Sequence, residues 1–349
     1  MAITKKLGHG IKLISAKTMR KRIPLMVNWA ITGKCNLRCI HCYGAYGITQ
    51  KAELTTDQVL KIIDELKSLG TRRITIEGGE PLMRKDIGEI INHIHKKGIE
   101  QSLCTNGVLL ERYINQIKGK VDIVILSLDG AEAAHDKIRG KGNFKQVLHA
   151  IEVAKQHQLR TLIFYTLMDE NLDDVDAIIE LVKQQGTFIA FNIAVAKITE
   201  NGKRASLPKD SEQKYRDAII KIMAYKKQGY PIFYSDKNLS QALYWKSYAK
   251  EKLYPEDLPQ YRCNPLIPCY AGKYYAYIEC NGDVYPCYQM VGTMDVKNAA
   301  KDGFKVAFDH LAKTDYCIHC YNLTISELNL QCALDFGSVV KVLQNYLKK

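Results

Sequence analysis

Residues 24–42 read PLMVNWAITGKCNLRCIHC, an apolar run closed by Gly33 and followed by three cysteines spaced C-x3-C-x2-C at Cys35, Cys39 and Cys42. The run has the length and apolar density of a buried strand. The thiols therefore stand just past a strand end, where the loops of parallel α/β folds carry chemistry. Going outward, the same unit recurs. TTDQVLKIIDELKSLG (55–70) has helical periodicity, with Thr55 or Thr56 as N-cap and Gly70 as stop. Strand-like RRITIEGGEP (72–81), IEQSLCTNG (99–107), VDIVILSLDG (121–130), LRTLIFYTLMD (159–169) and FIAFNIAV (188–195) alternate with further amphipathic helices. Strand–helix alternation predicts parallel βαβ units joined by right-handed crossovers. Six such units precede residue 230 and do not reach eight, so the expected fold is α/β: a partial (β/α)6 TIM-like barrel, followed by a small Cys-rich α+β domain.

The predicted organisation is a basic N-terminal segment (1–23), the barrel (24–229), a Tyr- and Lys-rich bridge (230–261), the Cys-rich domain (262–335) and a C-terminal helix (336–349). The 349 residues are 46% hydrophobic and 25% charged, the balance of a folded globular chain rather than a disordered one. No apolar run is long enough to span a membrane, and the N-terminus lacks a signal-peptide core, so a cytoplasmic location is expected. Net charge is +13, and no Asp or Glu occurs before Glu53. This front reads as a solvated basic leader, or as a face for anions such as an acidic peptide or an anionic membrane surface.

Eleven cysteines without a secretion signal point to metal or cluster ligation rather than disulfides. Three thiolates on one tight loop can hold three irons of a [4Fe–4S] cluster and leave the fourth open. A Cys3His zinc site recruiting His41 is the competing chemistry.

CNLRCIHC resembles the signature of the radical S-adenosylmethionine (SAM) superfamily. Gly78-Gly79-Glu80-Pro81 is similar to that family's GGEP loop, and Thr105-Asn106-Gly107 and Ser127-Leu128-Asp129-Gly130 with His135-Asp136-Lys137-Ile138-Arg139-Gly140 extend the likeness over roughly residues 25–205. The resemblance implies a cluster on Cys35, Cys39 and Cys42 whose open iron is chelated by SAM. Electron transfer into the sulfonium then gives a 5′-deoxyadenosyl radical that abstracts hydrogen from substrate. It also implies SAM contacts from Gly78, Gly79, Glu80 and Pro81, with Glu80 taking the ammonium. Asn106, Ser127 and Arg139 are further candidates, and the backbone of His41 is expected near adenine. The bland alternatives are that Ser127 caps a loop, that Arg139 pairs with Asp136 and that Asn106 only makes a turn.

The later cysteines run Cys269-x17-Cys287, then Cys317-x2-Cys320. Four thiolates suit a closed cluster. The pattern resembles the Twitch half-domain and in part the SPASM domain, since Cys263-x5-Cys269 and Gly282-x4-Cys287 fit, whereas only Cys332 remains where SPASM has several cysteines. The resemblance implies one auxiliary [4Fe–4S] cluster on Cys269, Cys287, Cys317 and Cys320, with Cys263 or Cys332 as alternative ligands. Cys280 reads as an ordinary strand residue. Cys104 inside the barrel is a candidate hydrogen donor to a substrate radical, though a small core residue is the commoner role. Tyr43, Tyr46 and Tyr165 are cavity-lining candidates with packing as the rival reading.

The expected function is thus a radical SAM enzyme acting either on a ribosomal peptide, by epimerisation, crosslinking or dehydrogenation, or on a small molecule. An electron donor such as flavodoxin or ferredoxin would be its partner. An alternative of another class is a basic nucleic-acid-binding Fe–S or zinc protein, although no helix-turn-helix, RNP or zinc-finger spacing is present.

Overall fold

In the computed structural model, residues 2–47, 52–198, 204–205, 212–261, 266–338 and 340 are described. The strands are β1 (Met26–Thr32), β2 (Arg73–Gly78), β3 (Glu100–Thr105), β4 (Ile123–Ser127), β5 (Thr161–Leu167), β6 (Phe188–Ile193), the short β7 (Lys197–Ile198), β8 (Arg204–Ala205) and β9 (Lys252–Leu253), then β10 (Tyr275–Ile278), β11 (Val284–Tyr285) and β12 (His319–Cys320). The helices are α1 (Ala2–Thr18), α2 (Thr56–Leu69), α3 (Ile87–Lys96), α4 (Leu110–Ile117), α5 (Glu132–Arg139), α6 (Asn143–Gln156), α7 (Val175–Gln185), α8 (Glu212–Lys227), α9 (Asp236–Leu243), α10 (Phe304–His310) and α11 (Leu323–Ala333).

Strands β1 to β6 lie side by side in sequence order and pair in parallel, the partial barrel expected. Alternation sorts their side chains. Ile74 and Ile76, Leu103, Val124 and Leu126 turn outward and are fully buried under the helices. The helices close this layer with isoleucine-rich faces such as Ile87, Ile90, Ile91 and Ile94 of α3. The α2 start forms as its sequence predicts: Thr55 and Gln58 make a reciprocal capping box, and Gly70 ends the helix at φ +98°.

The Cys-rich region does not stand apart from the barrel. β10 pairs in parallel with β1, and β11 returns antiparallel across the Asn281-Gly282 turn, so one eight-stranded sheet runs β11-β10-β1 through β6. α11 packs against β6 and α9, beside the free edge of the partial barrel.

The basic N-terminus is not a solvated leader. Its residues build α1, which lays Leu13 and Ala16 into a buried cluster with Leu25, Tyr274 and Cys332. Two of its cations bind this domain. Lys17 stands 5.1 Å over the Tyr270 ring, and Arg22 donates to the carbonyls of Gly272 and Phe308. Ile11, Ile14 and Met19 face outward. Cys263 and nearly all of the expected C-terminal helix (336–349) lie outside the described residues. No helix among the described residues is long and apolar enough to cross a membrane.

Candidate active site

The inward-facing residues of the six strands do not fill the barrel. They line a hollow of about 340 Å³ whose wall also carries the three front cysteines and residues of α11. Cys35, Cys39 and Cys42 sit at its mouth, on the loop after β1. That loop is fastened by Ile40 N–H to the Ile138 carbonyl (3.1 Å), by Lys197 Nζ to the Ile40 carbonyl (2.9 Å) and by Gly47 N–H to the Gly33 carbonyl (2.7 Å).

The GGEP loop docks directly on the chain entering this cysteine loop. Gly79 N–H donates to the Thr32 carbonyl and Glu80 N–H to the Lys34 carbonyl. A Cβ on Gly79 would lie 2.1 Å from the Lys34 carbonyl oxygen, and one on Gly78, at φ +132°, 2.5 Å from that of Thr32. Both positions therefore require glycine. Gly78 and Gly79 form part of the cavity wall, whereas the Glu80 side chain is fully buried. Its carboxylate accepts from Leu82 N–H (3.1 Å), Thr105 Oγ1 (2.8 Å) and Asn106 N–H (2.8 Å). Burial pushes this carboxyl up to about 7 against the pull of those donors. Glu80 thus ties the GGEP loop to the TNG turn. Pro81 opens a short 3-10 turn and is buried. Asn106 reaches back to Asn36 in the cysteine loop, with Nδ2 to Oδ1 at 2.8 Å, and also faces the hollow.

Ser127 and Arg139 reach the hollow from the far wall. Arg139 pairs with Asp129, not with Asp136: its Nε lies 2.5 Å from Asp129 Oδ2, and its Nη1 lies 3.8 Å from Cys39 Sγ. Asp136 instead accepts the N–H groups of Gly142 and Phe144. Asp129, the third residue of the Ser127-Leu128-Asp129-Gly130 motif, is the hub. It is fully buried, accepts from Thr166 N–H (2.7 Å) and stands 3.5 Å from His41 Nε2. His135 Nδ1 accepts the Asp129 N–H, and its other nitrogen donates to Asn143 Oδ1. His41 is pushed down to about 4 by burial, so its ring is neutral at pH 7, and its Nδ1 has no hydrogen-bond partner. Cys104 and Glu77 face the hollow, as do Tyr43 and Tyr46. Tyr165 does not: it turns outward, donating to the Asn171 carbonyl and packing on Phe191.

Glu77 carries a pH signature. Burial, with repulsion from Glu279, lifts it to about 8, while a hydrogen bond from Asn28 acts the other way. An acid raised from 4.5 to about 8 binds more protons folded than unfolded between those values. Its contribution therefore favours folding below pH 4.5 and is lost as pH rises to 8. Glu77→Gln should flatten that fall and raise stability at pH 9 by about 2 kcal/mol, the full linkage value being trimmed by water in the hollow. Urea melts of the variant and the parent at pH 5 and pH 9 measure it; equal pH slopes would contradict the burial of this carboxyl.

The donor sets fit iron–sulfur clusters better than single ions. Among the described residues, no three His, Cys, Asp or Glu side chains close on a point that could hold one metal ion. A zinc site requires that convergence, whereas a cluster takes one thiolate per iron. Burial pushes Cys35 up to about 12, with repulsion from Cys39 and Cys42 adding to it, so only a cationic core would hold the Cys35 sulfur as a thiolate. The C-terminal thiols behave alike. Cys287 is pushed up to about 12 by burial and by Cys269, and burial raises Cys317 and Cys320, each within electrostatic reach of Cys269 and Cys287. Cys332 is also buried, but of the other described cysteines only Cys269 acts on it, opposed by Arg73 and Lys17. The structure thus gathers Cys269, Cys287, Cys317 and Cys320, with Cys332 to one side. Cys280 is buried, with its Sγ against Gly33.

Comparison with known proteins agrees with this geometry. Residues 29–182 match the model of the radical SAM superfamily, and residues 269–321 match SPASM, an iron–sulfur cluster-binding domain. Among curated relatives, an AdoMet-dependent heme synthase from Methanosarcina barkeri is 36% identical over 49% of this chain and 50% of its own length. Mycofactocin maturase MftC from Mycolicibacterium smegmatis is 30% identical over 53% of this chain and 47% of its own. The matches thus span about half the length of these relatives. In overall fold, the solved structure of anSMEcpe with bound AdoMet and the Kp18Cys peptide superposes with a TM-score of 0.65 at 17% identity, covering 91% of this chain and 99% of that one.

Proposed function

The chain belongs to the radical SAM superfamily, in the branch with a C-terminal SPASM domain, and from that premise we propose that it cleaves SAM reductively and takes a hydrogen atom from a substrate held in the barrel hollow. Family membership implies a [4Fe–4S] cluster and SAM in the first domain and an auxiliary Fe–S cluster in the second. When bound, the reduced cluster supplies the electron that splits SAM into methionine and the 5′-deoxyadenosyl radical.

The observation that carries the reading is the convergence of the three front thiols, the Gly78-Gly79 wall, Ser127, Asn106 and Arg139 on one hollow. In this reading Cys35, Cys39 and Cys42 ligate the radical cluster, while Cys269, Cys287, Cys317 and Cys320 ligate one auxiliary cluster. Gly78 and Gly79 present backbone to SAM, with Asn106, Ser127 and Arg139 beside it. Glu80 meets the ammonium only if its carboxylate exchanges one of its present donors, and otherwise shapes the loop. His41 stays neutral beside Asp129 and offers backbone toward adenine. Cys104 stands in the hollow as the hydrogen donor, and burial, with Glu77 and Glu80 nearby, keeps it a thiol, the form that carries a transferable hydrogen atom.

A hollow of about 340 Å³ favours a small molecule, or one side chain or terminus of a peptide, over a long segment. A flavodoxin- or ferredoxin-type protein would supply electrons. The outward Ile11 and Ile14 of α1, with Lys12 between them, are the place where an anionic membrane surface would be met. The test is anaerobic reconstitution followed by iron and sulfide analysis and 5′-deoxyadenosine release under reductant. About eight irons per chain with SAM cleavage is expected. Zinc in place of iron, with no cleavage, would overturn the reading.

A further inference from the structure

The hollow runs the length of β2. From Arg73 at the strand's first residue to Gly78 at the mouth is five residues, about 16 Å of extended chain. Its two ends differ in charge. At the mouth end, Arg139 is neutralised by Asp129. On the α11 wall, Glu327 is held by Ser235, Asn238 and Ser338. Arg73, at the floor, has no carboxylate partner among the described residues. Among the described residues its Nη2 donates to the Met26 sulfur (3.0 Å), its Nε is buried without a hydrogen-bond partner, and the Cys332 thiol lies within its electrostatic reach. Glu100 is its register neighbour on β3 and has a partner of its own. The next carboxyl on the same strand face, Glu77, lies four residues away, about 13 Å by strand rise.

A guanidinium inside a protein wall is costly unless an anion meets it, and its planar fork matches carboxylate and phosphate oxygens. Between floor and mouth the wall is largely apolar, with Ile123, Ile125, Leu162 and Phe164 turned inward. Resting on the radical SAM reading given above, we propose that the substrate is elongated and carries an oxyanion, a carboxylate or phosphate, that binds Arg73 at the floor of the barrel. Its apolar stem lies along the strands, and its reacting carbon lies at the mouth beside the cysteine loop. Carboxylate and phosphate are the two sources of this chemistry, and the guanidinium accepts either.

The probes are hexanoate, hexyl phosphate and the neutral 1-hexanol, titrated calorimetrically into the cluster-loaded full-length protein under argon. At least one anion should bind about tenfold or more tightly than hexanol, the usual worth of a charge-assisted hydrogen bond. The anion preferred identifies the substrate's acidic group. Arg73→Gln should abolish the preference, and Arg73→Lys should restore part of it. Equal binding of hexanol and both anions by the wild type overturns the proposal even if no variant folds, as does an anion preference kept in Arg73→Gln. Release of 5′-deoxyadenosine by the same wild-type preparation tests the enzyme reading separately. Anion preference without SAM cleavage would retain the floor site and reject that reading, and cleavage without anion preference would do the reverse.

Discussion

Replacing Cys35, Cys39 and Cys42 together with alanine is expected to lower the iron content from about eight to about four per chain and to abolish 5′-deoxyadenosine release. The separation is expected because the two thiol sets are housed differently. The front three hang on one loop at the cavity mouth, fixed to α5 and to the strand ends by backbone hydrogen bonds. Of the later four, Cys287, Cys317 and Cys320 are buried in the cluster formed with α1 and the β10–β11 hairpin, and Cys269 packs against it. Alanine at the mouth removes no buried core, so the protein should still fold and keep its second cluster. Visible absorption of the iron–sulfur chromophore should fall by about half, and the loss of cleavage should be complete rather than partial, since the electron enters SAM only at that site. Retention of all eight irons would place the radical cluster's ligands elsewhere. Loss of all eight would mean that the two sets fold as one unit.

Much of this site was legible because cluster chemistry fixes spacing. C-x3-C-x2-C on a post-strand loop, a glycine pair after the second strand and a C-x2-C near the end each follow from what a metal or a close backbone approach demands. The six parallel strands were legible for a similar reason, since burial on both faces leaves apolar runs of characteristic length. Long-range partners were not. The β10 run YAYI does not announce that it will pair in parallel with β1, some 250 residues earlier. α1 reads as a charged leader because its lysines dominate the composition, while Leu13 and Ala16 are buried on its inner face. Helix α5 was hidden inside a motif: EAAHDKIR has a weak apolar stripe, and its buried residues are His135 and Ile138. Arg73 and Glu77 read as ordinary polar positions of a half-buried strand. Only the unfilled barrel reveals that both face a hollow.

Asp129 is the residue whose loss should cost the fold most among those around the hollow. It is a fully buried carboxylate. Burial alone would raise its pKa, yet the Arg139 guanidinium, with the Thr166 N–H, holds it below the ordinary value. A lowered acid stabilises the fold above its unfolded pKa, and that contribution disappears as pH falls through the folded value. Asp129→Ala should therefore destabilise the protein by about 3–5 kcal/mol at pH 7, because it leaves the Arg139 guanidinium buried and unpaired beside Cys39. Chemical denaturation under argon measures this. A midpoint shift worth less than about 1 kcal/mol would show that water reaches the pair and that the hub is not structural. The double variant Asp129→Asn/Arg139→Gln separates the roles. With both charges gone no lone ion is buried, so much of the single-variant loss should return. SAM affinity should not return with it if Arg139 contacts SAM, since no guanidinium then reaches the hollow. Recovery of stability without recovery of SAM binding would assign Arg139 two functions, one held inside the fold by Asp129 and one facing the cavity; recovery of both would leave it only the first.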